Sequence, residues 1–148
     1  MNRIYLIHHA QSAQHAPSLS YHGHRQASKL AKHLQTTHPD KIITSPENLS
    51  AFTAHKISVF HDLPVEIEPR ISSPITDGFF LWWSEISKYE GTVLVIADGT
   101  IIRFILSRTS DPALEQVNEI SVHPASISLI EANRVVSINQ TEHLEDLC

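Results

Sequence analysis

The sequence predicts an α/β fold with a mostly parallel sheet flanked by helices, on two observations. Short continuous apolar runs, IYLI at residues 4–7 and GTVLVIA from Gly91 to Ala97, have the character of strands buried on both faces. Stretches with helical spacing lie between and after them, so strand and helix alternate along the chain. In such sheets ligands sit outside the carboxyl ends of the strands, which draws attention to the loops that follow these two runs.

The elements follow in order. After the first strand and the loop QSAQHAPSLS comes SYHGHRQASKLAKHLQTTHPD, in which Ala27, Leu30, Ala31 and Leu34 fall at i, i+3, i+4 and i+7. This spacing predicts an amphipathic helix that stops before Pro39. DKIIT, Asp40 to Thr44, is a second strand. Ser45-Pro46-Glu47 then has the order of a helix start, with Ser as N-cap, Pro in the first turn and an acid near the positive end of the dipole. Leu49, Phe52, Ile57 and Phe60 would form the buried stripe of that helix. Val65 to Glu68 is a weak third strand, and FFLWWSEISKY a short helix. Trp82 and Trp83 lie about 100° apart on it, which leaves one for inward packing and one for a surface or subunit contact, so a homo-oligomer stays open. Asp98-Gly99 ends the strongest strand just before the helical run TIIRFIL. ASISLIEANRVVSINQ holds two β-rich runs joined near Ala132-Asn133, as in a hairpin.

Composition narrows the classes of function. A length of 148 residues fits a single domain spanning 1–148. The formal charge of −5, without a run of Lys or Arg, argues against nucleic-acid binding. No segment approaches the ~18 apolar residues of a membrane span, and residues 4–7 are too short for a signal peptide's apolar region. The only cysteine, Cys148, is the last residue, which excludes an intrachain disulfide and a Cys-rich metal site. A soluble cytoplasmic protein is the expectation. The 11 histidines are dispersed; His33, His38, His55 and His61 read as surface or capping residues.

Several stretches together resemble the histidine phosphatase superfamily, also called phosphoglycerate mutase-like. LIHHAQS is similar to its first motif, Leu-Ile-Arg-His-Gly-(Glu/Gln)-(Ser/Thr), through Leu6, Ile7, His9, Gln11 and Ser12. LSYHGHRQASKLAKHL resembles the Leu-Thr-x-x-Gly-x-x-Gln-Ala helix through Leu19, Gly23, Gln26, Ala27 and Leu30. DKIITSPENLSAFTA resembles the strand and Ser-Pro-x-x-Arg-Ala-x-x-Thr-Ala helix through Ser45, Pro46, Thr53 and Ala54. TVLVIADGTIIRFIL resembles Val-Leu-Val-Val-Ser-His-Gly-Gly-Val-Ile-Arg, and ASISLIE and INQTEHL the terminal strands and tail. Nearly the whole chain is covered, in order. The resemblance implies a three-layer sandwich and a phosphatase that needs no cofactor, forming a phosphohistidine at His9.

The resemblance also locates departures. In the family two arginines and a second histidine hold the phosphoryl oxygens, and a carboxylic acid protonates the leaving group. Here the first arginine is His8, the second aligns with Leu49, and the second histidine aligns with Asp98. The implied phosphate-pocket positions are thus His8, Gln11, Ser12, His15, Leu49, Asp98 and Gly99, and the region that carries the acid offers only Asp77 and Glu85. Phosphoryl transfer depends mainly on positioning and on positive charge around the equatorial oxygens. Charge-assisted hydrogen bonds contribute about 1.5–3 kcal/mol each, so losing two fixed cations and gaining a carboxylate removes on the order of 5 kcal/mol. At about 1.4 kcal/mol per factor of ten, that is a thousandfold or more in rate. Histidine at position 8, with an ordinary pKa near 6.5 and no bidentate fork, replaces arginine only in part.

Blander readings stand beside the chemical ones. Asp98 has the residue type and position of a helix N-cap. His9 can hydrogen-bond backbone at a strand end, Leu49 can be core, and His22 and His24 solvated. A metal site is a further alternative: His8, His9, His15 and Asp98 carry donors suited to zinc, iron or nickel, provided that the chain turns between His8 and His9. Three functions remain: a pseudo-phosphatase with a regulatory or interaction role, binding a phosphorylated ligand or a protein partner; a weak phosphomonoesterase acting through His9; and a metal-binding protein.

Overall fold

A computed structural model of the chain describes residues 1–14, 18–109 and 120–147. The strands are β1 (Asn2–His8), β2 (Lys41–Thr44), β3 (Val65–Ile67), β4 (Gly91–Ala97), β5 (Ile127–Glu131) and β6 (Arg134–Gln140). The helices are α1 (Tyr21–His33), α2 (Asn48–Ser58), α3 (Asp77–Ser87) and α4 (Gly99–Thr109), with 3₁₀ turns at Leu34–Thr36 and Glu142–Leu147. The strands form one mixed sheet in the order β3-β2-β4-β1-β5-β6. β1 pairs parallel with β4, β4 with β2 and β2 with β3, while β5 runs antiparallel to both β1 and β6.

Alternation along the central strands sends side chains to two separate cores, as period-two geometry requires. Ile4, Leu6, Val93 and Val95 pack against α3 and α4 through Phe79, Trp82, Ile101 and Ile105. Ile7, Ile42, Leu94 and Ile96 pack against α1 and α2 through Leu30, Leu34, Ala54 and Ile57. Two helices thus cover each face, the three-layer arrangement that the resemblance implied. The carboxyl ends of β1 and β4 lie side by side, with His8 opposite Ala97, which brings the loop after β1 next to the start of α4.

Most elements lie where periodicity put them. Ala27, Leu30, Ala31 and Leu34 are all buried, and α1 starts at Ser20, whose Oγ accepts from Gly23 N at 2.8 Å. Trp82 is buried and Trp83 only partly so, the division expected of neighbours on a helix. The β5–β6 hairpin turns through Ala132 and Asn133, both left-handed with φ of 49° and 63°, the geometry of a tight two-residue hairpin loop.

The start and face of α2 need correction. Ser45 is not its N-cap: its backbone continues the sheet, donating to Ile96 O at 2.9 Å. Pro46 precedes the helix, extended Glu47 (φ −69°, ψ 150°) occupies the cap position, and α2 begins at Asn48. The buried face is Ser50, Thr53, Ala54 and Ile57; of the expected stripe Ile57 is buried, while Phe52 and Phe60 are 43% and 45% exposed. Small side chains let α2 lie close to the sheet and to the loop after β1, which turns the phenylalanines outward. Among the described residues no helix is long and apolar enough to cross a membrane.

Candidate functional site

The loop after β1 is held on every side. His8 N donates to Ser126 O at 3.2 Å and His9 N to Ala97 O at 3.1 Å, while Ala125 N lies within hydrogen-bonding distance of both His8 O and His9 O. From α2, Thr53 Oγ1 accepts from Ala10 N at 3.0 Å and donates to Leu49 O. From α1, Gln26 Oε1 accepts from Gln11 N at 2.9 Å. Ser20 N donates to Gln11 O at 3.0 Å. Gly23 lies so close to this loop that a Cβ would run into the Gln11 carbonyl oxygen. Mid-helix Gly→Ala ordinarily stabilises by up to about 1 kcal/mol. Here Gly23→Ala is expected to destabilise by about 2 kcal/mol, a reversal of sign that a denaturant titration would detect.

The tautomer of His9 is set by its own loop. Its Nδ1 lies 2.9 Å from Ala10 O. A carbonyl only accepts, so Nδ1 carries the hydrogen and the neutral ring keeps its lone pair on Nε2. A carboxylate lies near that lone pair: Glu47 Oε1 is 3.9 Å from Nε2. Glu47 is itself anchored by Ser50 Oγ, which donates at 2.7 Å, and by Ser45 Oγ at 3.4 Å. The sequence reading treated Glu47 only as a helix-start acid and missed it as a site residue. The available signal was its position directly after Ser-Pro, where α2 meets the carboxyl end of β2.

His8 packs edge-on against His9, ring centroids 4.6 Å apart. Its Nδ1 donates to Val122 O at 3.0 Å. Burial, reinforced by the neighbouring His9, pushes the His8 imidazole down to about 4. It is therefore neutral at pH 7, a more complete loss of charge than its ordinary value implied. Its other edge faces α4: Cε1 and Nε2 lie 3.4 and 3.6 Å from the point where a Gly99 Cβ would sit. Arg103 Nη1 lies 3.2 Å from the same point. Arg103 was legible only as the last residue of the Val-Ile-Arg resemblance.

The remaining positions divide. Asp98 Oδ1 accepts from Ile101 N at 2.8 Å, the capping role expected of it, and so places a carboxylate on the helix end that would otherwise attract an anion. Leu49 packs against Ala10, Leu19 and Ala27 and adds apolar surface where the resemblance calls for arginine. Gln11 turns its Oε1 to Ser20 Oγ at 2.8 Å, and Ser12 bridges to Leu19. A cleft of about 240 Å³ opens among residues 45–47, 71–73 and Asp98, and among the described residues no cationic side chain lines it. Glu85 is engaged by Arg70 Nη2 at 3.2 Å, and Asp77 opens α3. His15 lies outside the described residues. Among the described residues no group of three or more His, Cys, Asp or Glu is arranged to hold a metal. His8, His9 and Asp98 do not form one.

This geometry has known counterparts. Residues 4–72 match the family model of the histidine phosphatase superfamily (branch 1). Among solved structures, a putative alpha-ribazole-5'-P phosphatase from Escherichia coli superposes with a TM-score of 0.78 at 16% identity, over 97% of this chain and 98% of its own. A phosphoserine phosphatase from Entamoeba histolytica gives 0.73 at 18% identity, over 97% and 100%. Mycobacterial glucosyl-3-phosphoglycerate phosphatase gives 0.76 at 16% identity, over 95% and 100%. No curated protein matches the sequence. The profile match spans the loop after β1, so the chain is similar to the histidine phosphatase superfamily over residues 4–72 and has the fold of these phosphatases throughout.

Proposed function

We propose that this chain is a pseudo-phosphatase, a histidine-phosphatase fold retained in the cytoplasm as an interaction or regulatory module. The observation that carries the reading is Glu47, 3.9 Å from His9 Nε2. Like unit charges about 4 Å apart repel by about 4 kcal/mol at an effective dielectric constant near 20. A phosphate dianion at His9 would meet that repulsion with Leu49, neutral His8 and Asp98 at the positions that should offset it. The decisive comparison is hydrolysis of an aryl phosphate by wild type and His9→Ala between about pH 5 and 8. Equal, background rates in both are expected; activity that vanishes in the variant would overturn the reading.

A weak phosphomonoesterase is the second reading, and two observations favour it. Ala10 O fixes the His9 tautomer that leaves Nε2 free to attack. Arg103 brings a guanidinium to the start of α4, bordering the same space at Gly99 as the His8 ring. The same comparison separates the two, since only this reading requires hydrolysis that depends on His9.

A further inference from the structure

The outer face of α1 carries a groove of about 350 Å³ that runs along the helix to Leu147 of the C-terminal 3₁₀ turn. Its walls include Arg25, Lys29 and Lys32, with Tyr21 and Leu147 as its apolar members. Among the described residues no Asp or Glu lines it, and the 13 residues of α1 include none. This is a concentration of one sign on a chain whose formal charge is −5. Lys29 is engaged by an interaction of its own, so the field rests on Arg25 and Lys32, both exposed. They are seven residues apart, about 10 Å along the helix. Tyr21 stands at the groove with 82% of its surface exposed, an aromatic face with little of it covered.

We propose that this groove docks a glutamate- and aspartate-rich segment of another protein, with an apolar side chain of that segment seated against Tyr21 and Leu147. Charge complementarity names the partner's sign, and long-range attraction of this kind speeds encounter and suppresses wrong partners. The apolar members favour a peptide over a polyanion that offers only phosphates. The groove lies on the exterior of the helix whose inner face, through Gly23 and Gln26, braces the loop of His9. Docking there is independent of whether that loop hydrolyses anything.

The test is fluorescence anisotropy of a short fluorescein-labelled peptide of glutamates around a central leucine, titrated with the intact protein at low salt. Saturable binding that weakens as salt rises is expected. Arg25→Glu with Lys32→Glu should weaken it by about tenfold or more, and Tyr21→Ala by several-fold, with unchanged thermal melts because all three side chains are exposed. Arg134→Glu, on the β5–β6 hairpin, changes net charge equally per residue and should leave binding within about twofold. Absence of saturable binding would overturn the proposal. So would equal loss from Arg134→Glu, which would reduce the effect to net charge. Competition by an oligonucleotide as effective as the unlabelled peptide would also overturn it, since it would mark a general polyanion surface. Sedimentation that showed peptide-independent dimers hiding the groove would assign the face to a second copy instead.

Discussion

Introducing His8→Arg, Leu49→Arg and Asp98→His together is expected to give the chain aryl phosphate hydrolysis at least about a thousandfold above the wild-type background, and adding His9→Ala should remove it. The expectation rests on what is preserved. The nucleophilic tautomer is set by Ala10 O, and the loop is fixed by Thr53 and Gln26. Positioning, the part of catalysis hardest to restore, is already in place. What is missing is charge, and three charge-assisted hydrogen bonds at about 1.5–3 kcal/mol each exceed the roughly 4 kcal/mol that a thousandfold requires. Leu49→Arg gives up apolar contact with Ala10, Leu19 and Ala27, so a thermal melt should precede the assay. Glu47 would compete with substrate for the new arginine, and adding Glu47→Gln should raise the rate further, by about tenfold. A folded triple variant without hydrolysis would show that the shape of the cleft, and not its charge, silences the site.

The same residues explain what the sequence made legible. The fold was readable because Ile4 to Ile7 and Gly91 to Ala97 carry continuous apolar runs and α1 a full 3.6-residue stripe, signals that tertiary packing reinforces. The family was readable because the surviving motif residues, Gly23, Gln26 and Thr53, all act on backbone, bracing the loop of His9. The positions that carried charge, 8, 49 and 98, are the ones replaced. Where α2 was misread, two local rules competed with the sheet. Ser45 has the residue type of an N-cap, but its N–H is already committed to Ile96 O. Phe52 and Phe60 look like core, but the buried face of α2 is made by Ser50, Thr53, Ala54 and Ile57. Glu47 beside His9 was out of reach because the proximity joins elements distant in the chain.

Acid should unfold the protein through His8 before its carboxylates matter. The ring's ordinary value is 6.5 and its folded value about 4, since burial disfavours the cation and His9 adds to the effect. Between these values the unfolded chain binds a proton that the folded chain does not, so stability rises with pH across the window. The contribution is fully present above about pH 6.5 and is lost as pH falls through about 4. At about 1.4 kcal/mol per unit, the swing approaches 3 kcal/mol, an order-of-magnitude figure for a largely buried ring. His61 and His143 are also lowered, chiefly by burial, and act in the same direction. Glu68, held below its ordinary 4.5 chiefly by its hydrogen bond from Arg70, acts only at lower pH. His8→Gln separates the effects, because its amide keeps a donor for Val122 O but does not titrate. Denaturant titrations of wild type and His8→Gln from about pH 7 to 4 should diverge by about 3 kcal/mol, with wild type losing more. Parallel curves would mean that the His8 pocket opens to water before it titrates, and that the ring at position 8 is available to protonate within the folded site.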